Sequence, residues 1–289
     1  GLVRTVANQL GIDDIGNRAD TFAERAKWLA VDNEGSKQVT VEMAGERWTL
    51  DDTGSNGHVE TKVTLPGPAA PGKRVSLSVR MPDGDARSFH GTVDFIPPTG
   101  VTVISDIDDT IKISNVLDKQ ALLAKTFLEP YATTPGMPAL YEQLAAEGYH
   151  FHYVSASPWQ LWPSLGPFIA KHYPQGTVAM RNFRLKDGSF VKFLAKSSYE
   201  FKVRAISRVI TRYWDHQFIL IGDSGERDPE IYGQMARWFP GRVKLIMIRK
   251  VAASDISHDR MRGALAGDTQ TQWEYIGHDV ERGDKGCQN

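Results

Sequence analysis

The run Val101-Thr-Val-Ile-Ser-Asp-Ile-Asp-Asp-Thr110 leads an apolar strand straight into three carboxylates and a threonine. Strand ends are where parallel α/β sheets bind their ligands. Asp106 and Asp108, one residue apart, can reach the same ligand, which suits a metal-assisted nucleophile with an acid/base beside it. A calcium loop of the EF-hand type would need glycine at its sixth position and glutamate at its twelfth, where this run has Ile111 and Leu117. The remaining structural alternative is an acidic turn in which Asp109 and Thr110 cap a helix.

Three further places can supply partners. Phe218-Ile-Leu-Ile221 ends in Gly222-Asp-Ser-Gly-Glu-Arg-Asp-Pro229, which puts Asp223 where a metal ligand would stand. Asp228 is either a second ligand or the cap before Pro229 at a first helical position. The Gly222-Asp-Ser-Gly225 run would also suit a trypsin-like protease, but the disulfides, histidine motif and two-barrel pattern of that class are missing. Val154-Ser-Ala-Ser-Pro-Trp159 places Ser155 at a strand end, with Ser157 able to cap a helix starting at Pro158. Such a helix start can cradle phosphate, or the two serines are only turn and cap residues. Residues 181–212 carry nine Lys or Arg, mostly solvated surface. Lys202 is the first choice for a catalytic lysine because it opens the helix ahead of the Asp223 strand, and Lys196 is the second. His150 and His152 share one strand face and are expected to be packed or exposed rather than metal-bound.

The elements that must position these residues can be read from hydrophobic periodicity. Apolar runs at 101–105, 151–155, 177–181, 218–222 and 243–249 alternate with helical stretches near 136–147, 158–171, 199–213 and 229–238. Runs without polar alternation indicate a parallel sheet covered on both faces, so the expectation is a three-layer α/β domain. Ahead of it, residues 35–98 show two-residue alternation at 39–43, 59–65, 75–79 and 89–95, separated by turn formers such as Pro66-Gly-Pro and Asp83-Gly84. That pattern predicts a small antiparallel β-sandwich domain. Residues 1–34 read as a helical segment, with Phe22, Ala26 and Leu29 on one stripe after a cap-like Asp20. The α/β domain is expected over 99–252, and 253–289 as a polar, partly mobile tail.

Composition bounds the partners. At 289 residues and 41% apolar content the chain is long enough for two soluble domains. Lys plus Arg total 34 against 35 for Asp plus Glu, so no overall field marks a nucleic-acid binder. The single cysteine, Cys287, excludes an internal disulfide and a cysteine-rich zinc site and favours a reducing compartment. No apolar stretch approaches the length of a transmembrane span. The expected location is cytoplasmic, with peripheral contact to membranes, and the start at Gly1 leaves a removed leader open.

D-I-D-D-T, a strand-terminal serine, a helix lysine and G-D-x-x-x-x-D together resemble the four motifs of the haloacid dehalogenase-like phosphohydrolase superfamily. Ser105-Asp-Ile-Asp-Asp-Thr-Ile-Lys112, Tyr153-Val-Ser-Ala-Ser-Pro-Trp-Gln-Leu161 and Ile221-Gly-Asp-Ser-Gly-Glu-Arg-Asp-Pro-Glu-Ile-Tyr232 narrow the resemblance. Over residues 97–250 the chain is similar to the catalytic domain of the actin-patch-associated phosphatidate phosphatases, and the β region is similar to the segment ahead of it. That resemblance implies a Rossmann-like parallel sheet and makes Asp106 the nucleophile and Asp108 the acid/base. It implies Mg²⁺ held by Asp106, the main-chain carbonyl of Asp108 and Asp223, with Asp228 a further candidate, while Ser155 and Lys202 bind phosphoryl oxygens and Thr110 orients the loop.

The implied substrate is phosphatidate, a phospholipid met at a membrane surface. The insert over 111–149 has room for only a couple of helices, which leaves the site open to a bulky phosphate ester. Trp159, Leu161 and Trp162 either touch acyl chains or pack the helix onto the sheet, and the basic 181–212 segment favours polyanions, anionic lipid among them. Two alternatives stay open: the same chemistry on a soluble or protein phosphomonoester, and a non-catalytic module that binds anionic lipid.

Overall fold

The computed structural model describes residues 6–8, 10, 12, 15–31, 33–65, 67, 72–183, 198–252, 254, 257–268 and 270–277, and the backbone of 282–285. Lys196 and the hairpin expected around Lys186-Asp-Gly-Ser189 lie outside the described residues. The chain divides into two units, one of residues 1–30 with 98–289 and the other of residues 31–97.

In the smaller unit, β1 (Thr40–Met43) and β2 (Glu46–Thr49) form a hairpin. Its two turn residues, Ala44 at φ 53° and Gly45 at φ 83°, are both left-handed, as a two-residue hairpin with native twist requires. β3 (Arg74–Arg80) pairs with the other edge of β1 and with β4 (Phe89–Asp94), giving an antiparallel sheet of order β2-β1-β3-β4. Val41 stands opposite Trp48 and Val79, and Glu42 opposite Arg47 and Ser78, so apolar and polar residues take opposite faces. This antiparallel sheet is consistent with the expected sandwich architecture. Two details differ from the sequence reading. Residues 59–65 alternate but form no strand, and β2 carries no alternation yet pairs. Alternation says which residues would share a face; it does not supply a neighbouring edge to bond to.

The larger unit is a three-layer α/β structure. After helical residues at 6–8 and 10 comes α1 (Ala19–Ala26), whose N-cap position is Arg18, so Asp20 lies inside the first turn and does not cap. Then follow β5 (Thr99–Asp106), α2 (Lys119–Phe127), α3 (Met137–Ala146), β6 (His150–Pro158), α4 (Trp162–His172) and β7 (Thr177–Arg181). The second half comprises α5 (Tyr199–Arg212), β8 (Asp215–Asp223), α6 (Asp228–Trp238), β9 (Val243–Arg249), α7 (His258–Ala264), β10 (Gln272–Ile276) and β11 (Arg282–Lys285).

The sheet order is β11-β10-β9-β8-β5-β6-β7, parallel except for β11. Alternate strand residues feed two cores. Val103, Phe151, Tyr153, Ile219 and Ile221 pack with α1, α2, α3 and α4 on one face. Ile104, Val154, Leu220, Ile246 and Ile248 pack with α5, α6 and α7 on the other. Burial on both faces explains the continuous apolar runs in the sequence.

The N-terminal helix is tied into this unit. Phe22 packs on Phe127 with ring centroids 6.2 Å apart, and Arg25 donates to the carbonyls of Thr126 at 2.7 Å and Glu129 at 2.8 Å. The stretch after residue 251, expected as a polar tail, instead contributes α7 and β10, and β10 extends the parallel sheet. Glu274 interrupts the apolar residues Trp273 and Tyr275, so the run lacks the uninterrupted character of its neighbours. Among the described residues, no helix is long and apolar enough to cross a membrane.

From β5 the chain winds outward through β6 and β7, then crosses to the other side of β5 and continues through β8, β9 and β10. The direction reverses between β5 and β8, and the crevice at the carboxyl ends of those strands is the expected ligand position. Asp106 ends β5 and Asp223 ends β8.

Candidate active site

The three carboxylates after β5 have three different environments. Asp106, buried at 3% exposure, accepts a hydrogen bond from Thr110 Oγ1 at 3.2 Å on Oδ2 and faces Lys202 Nζ at 2.7 Å on Oδ1. Asp108 accepts from Ser155 Oγ at 3.0 Å and Ser157 Oγ at 3.2 Å on Oδ2. Its Oδ1 accepts from Ser114 Oγ at 2.7 Å and pairs with Lys112 Nζ at 2.9 Å. Asp109 turns away from both. Its backbone is left-handed at φ 54°, and its carboxylate accepts the N–H groups of Ser114, Asn115 and Val116 at 2.8, 2.9 and 2.6 Å. Asp109 therefore folds the loop that carries Lys112 and Ser114 to Asp108, and it caps no helix. Arg249, at the end of β9, clamps the loop by donating to the Asp109 carbonyl at 2.6 Å.

Ser157 corrects an expectation. The β6 strand runs to Pro158 and is followed by a 3-10 turn at Trp159–Leu161, so Ser157 caps nothing. Its N–H donates to Ser155 Oγ at 3.0 Å, and both hydroxyls turn onto Asp108.

At the end of β8, Asp223 Oδ1 accepts from Gly225 N at 2.6 Å and Glu226 N at 3.2 Å, while its Oδ2 is buried without a hydrogen-bond partner. Asp228 begins α6 without capping it, since the cap position is Arg227. Its Oδ2 accepts the Asp223 N–H at 3.2 Å and its Oδ1 meets Lys202 Nζ at 2.7 Å. Gly222 is required for this return, because a Cβ there would lie 2.7 Å from both Asp228 Cβ and Tyr232 Oη. Lys202 sits in the first turn of α5 on the buried stripe with Val203, Ile206, Val209 and Ile210. Its ammonium also contacts Glu226 Oε2 at 2.8 Å.

The electrostatics follow from that crowding. Burial alone would lower the Lys202 amine, but Asp106, Asp228 and Glu226 outweigh it and raise it well above 10.5, so it stays charged. One lysine meets three carboxylates, with the Asp223 carboxylate beside them. Burial and mutual repulsion raise Asp106 and Asp223 well above the usual carboxylate range, with Asp228 also raised. Asp108 goes the other way: burial pushes it up, but Lys112, Ser114 and Ser155 more than compensate and bring it down to about 2.

A site with excess carboxylate, raised proton affinity and an unpartnered buried oxygen is suited to a cation. Asp106, Asp223 and Asp228 each offer an oxygen, and these oxygens lie within 4.8 Å of one another. Carboxylate oxygens suit a hard divalent ion. The Asp108 carboxylate is outside this group, its oxygens being turned to Lys112 and the three serines.

The structure thus brings together Asp106, Asp108, Thr110, Ser155, Lys202, Asp223 and Asp228. Sequence reasoning gave no role to Lys112, Ser114 or Glu226. Lys112 and Glu226 lie inside the two conspicuous motifs, and that adjacency was the available signal. Elsewhere, Leu161 is a buried core residue, and Trp159 and Trp162 pack against the same core with ring centroids 6.2 Å apart. His152 is buried with Nδ1 bonded to Thr177 Oγ1 at 2.6 Å, and His150 lies against the His216 ring.

The fold is a parallel α/β sheet with a buried lysine and an acidic cluster, of a composition that could hold a cation, at its switch point. Residues 101–250 match the family described as Phosphatidate phosphatase APP1, catalytic domain, and the chain belongs to that family. It is 33% identical over 196 residues to Phosphatidate phosphatase APP1 of Saccharomyces cerevisiae, an alignment covering 64% of this chain and 33% of that protein. It is 30% identical over 182 residues to an uncharacterized protein of Schizosaccharomyces pombe, covering 61% of this chain and 29% of the relative. The chain therefore spans about a third of the length of these relatives.

Proposed function

We propose that this protein is a Mg²⁺-dependent phosphatidate phosphatase that hydrolyses phosphatidate to diacylglycerol and phosphate through an aspartyl-phosphate on Asp106. The observation that carries the chemistry is the setting of Asp106 at the end of β5: one oxygen on Lys202, the other on Thr110, and Asp223 and Asp228 beside it. Family membership and the name of the yeast relative carry the substrate.

Asp106 attacks phosphorus while the bond from phosphorus to the glycerol oxygen breaks, and the departing alkoxide takes a proton from Asp108. Water then attacks the aspartyl-phosphate, giving its proton to Asp108 and releasing inorganic phosphate and free Asp106. Asp108 is ionised in the free protein, so it must gain a proton before the first step, and the negative charge of an arriving phosphate group favours that gain. Thr110 fixes the attacking carboxylate, Ser155 and Ser157 orient Asp108, and Lys202 holds phosphoryl oxygens. Mg²⁺ held by Asp106, Asp223 and Asp228, with the Asp108 carbonyl as a further ligand, would supply charge neutralisation between carboxylate and phosphate. The two helices inserted after the first motif, α2 and α3, pack into the sheet-face core, which supports a site open to a phosphate carried on a large body. Such a lipid would be met by peripheral contact with a membrane from the cytoplasmic side.

The test is phosphate release from phosphatidate in mixed micelles, with Mg²⁺ or chelator, beside a panel of soluble phosphomonoesters and the Asp106→Asn variant. Metal-dependent release from the lipid that disappears in the variant supports the proposal. Release chiefly from the soluble panel overturns the substrate, and undiminished release by Asp106→Asn overturns the nucleophile.

A further inference from the structure

Lys202 has three ammonium hydrogens to give, and in this structure three carboxylates take them: Asp106 Oδ1 at 2.7 Å, Asp228 Oδ1 at 2.7 Å and Glu226 Oε2 at 2.8 Å. The three partners are not equivalent. The side chains of Asp106 and Asp228 are 3% and 0% exposed, and the second oxygen of each is held by Thr110 or by the Asp223 N–H. Glu226 has a side chain 28% exposed and reaches Lys202 from the solvent side on a longer, rotatable stem. Its backbone, in contrast, is fixed. The Glu226 N–H donates to Asp223 Oδ1 at 3.2 Å, and its carbonyl accepts from Arg260 at 2.6 Å. Arg260 is itself braced on the Ser224 carbonyl at 2.6 Å and on Glu230 at 2.8 Å.

Resting on the phosphatase reading above, we propose that Glu226 is a displaceable placeholder: its carboxylate occupies the hydrogen of Lys202 that a phosphoryl oxygen takes when substrate enters. The two oxygens are alike in charge and hydrogen-bonding chemistry, so Lys202 keeps three anionic partners before and after exchange. A buried ammonium is costly to leave under-bonded, and a carboxylate that can swing outward removes that cost without blocking the site. Entry of phosphate and departure of Glu226 then become one event, with the fixed backbone serving as the hinge post. Glu226 is a positioning residue in this scheme. It competes with ground state and transition state alike, so its removal lowers KM and leaves kcat nearly unchanged.

The experiment compares wild type with Glu226→Gln, and with Glu226→Ala as a second variant in case the amide holds Lys202 as well as the acid does. Binding of inorganic phosphate is measured by calorimetry at fixed Mg²⁺, with KM and kcat on phosphatidate micelles measured in parallel. The expected result is phosphate binding tighter by about tenfold in at least one variant, with KM falling in step and kcat held within about twofold. Unchanged or weaker phosphate binding in both variants, together with a fall in kcat, overturns the placeholder role and leaves the phosphatase reading standing, with Glu226 a support for Lys202. Failure of wild type both to bind phosphate and to hydrolyse any phosphomonoester overturns the two readings together.

Discussion

Replacing Lys112 by methionine probes the charge balance around Asp108. Lys112 is 3% exposed, with Nζ 2.9 Å from Asp108 Oδ1 and 5.3 Å from the centre of the Tyr131 ring. Methionine keeps most of the apolar stem and removes the charge. Burial pushes the Asp108 carboxyl up, yet Lys112 and the neighbouring hydroxyls bring it from 3.8 down to about 2. At about 1.36 kcal/mol per pH unit, that fall favours the folded, ionised form by about 2.4 kcal/mol. The combined attraction of Lys112, Ser114 and Ser155 must exceed this net figure, because burial opposes it, and Lys112 is the largest of the three. Removing one member of a buried pair typically costs about 3–5 kcal/mol, so the expected loss at pH 7 is about 3–5 kcal/mol. The folded value lies below the unfolded one, so this stabilisation is complete above pH 3.8 and disappears as pH falls through about 2. Urea unfolding at pH 7 of wild type, Lys112→Met, Asp108→Asn and the double variant isolates the pair from the other effects of each change. A coupling energy of about 2 kcal/mol or more is expected. Coupling below about 0.5 kcal/mol, the size found for exposed pairs, would refute the assignment of Lys112 as the charge that holds Asp108.

Three further outcomes follow from other parts of the molecule. Burial lowers His152 from 6.5 to about 4, so the folded state binds fewer protons than the unfolded chain in that range and stability falls as pH drops. The loss between pH 7.5 and 4.5 is about 2.5 kcal/mol, and His152→Asn should abolish that part of the slope in urea titrations. Arg25→Ala removes two bonds to main-chain carbonyls and a guanidinium 3.9 Å from the Tyr131 ring centre. A loss of about 2–4 kcal/mol is expected, with faster limited proteolysis ahead of α2, and an unchanged cleavage pattern would count against the tie. Mg²⁺ should raise the thermal midpoint of wild type and not of Asp223→Asn. That increment should grow with pH, because Asp106, Asp223 and Asp228 are raised and hold protons that compete with the ion.

Much of the α/β architecture was readable in the chain because parallel strands covered on both faces leave a mark that needs no tertiary information. The 177–181 and 243–249 runs coincide with β7 and β9, and the helices at 136–147, 199–213 and 229–238 match α3, α5 and α6 to within a residue at each end. What was missed depends on contacts. β10 interleaves Glu274 with Trp273 and Tyr275 and becomes a strand because β9 offers an open parallel edge. The β1–β2 hairpin is fixed by two left-handed residues, only one of them a glycine. Ser157 precedes a proline, which suggested a helix start, yet the same proline also ends a strand, and the pull of Asp108 on both hydroxyls fits the second outcome.

The site divides along the same line. Asp106, Asp108 and Asp223 were visible because they stand at or just beyond the carboxyl ends of apolar strands, where the chain has no packing reason to place charge, and Asp228 because it precedes Pro229 a few residues on. Lys112 and Glu226 were not, because nothing in their local pattern says which way they point. Lys112 reaches Asp108 because Asp109 adopts a left-handed conformation and its N–H donates to the Lys112 carbonyl at 2.7 Å, folding the intervening loop back on itself. Glu226 reaches Lys202 only because Asp223 and Arg260 hold the turn between β8 and α6. The two residues complete a symmetry that the motifs alone conceal. Asp106 and Asp108 are each paired with a buried lysine, Asp106 with Lys202 from α5 and Asp108 with Lys112 from its own motif, and their proton affinities shift in opposite directions. The difference is one of neighbours, since Asp106 shares its lysine with two more carboxylates whereas Asp108 shares its own with the Ser114 hydroxyl and the face of the Tyr131 ring. Two chemically identical side chains one residue apart can thereby take different parts in one reaction.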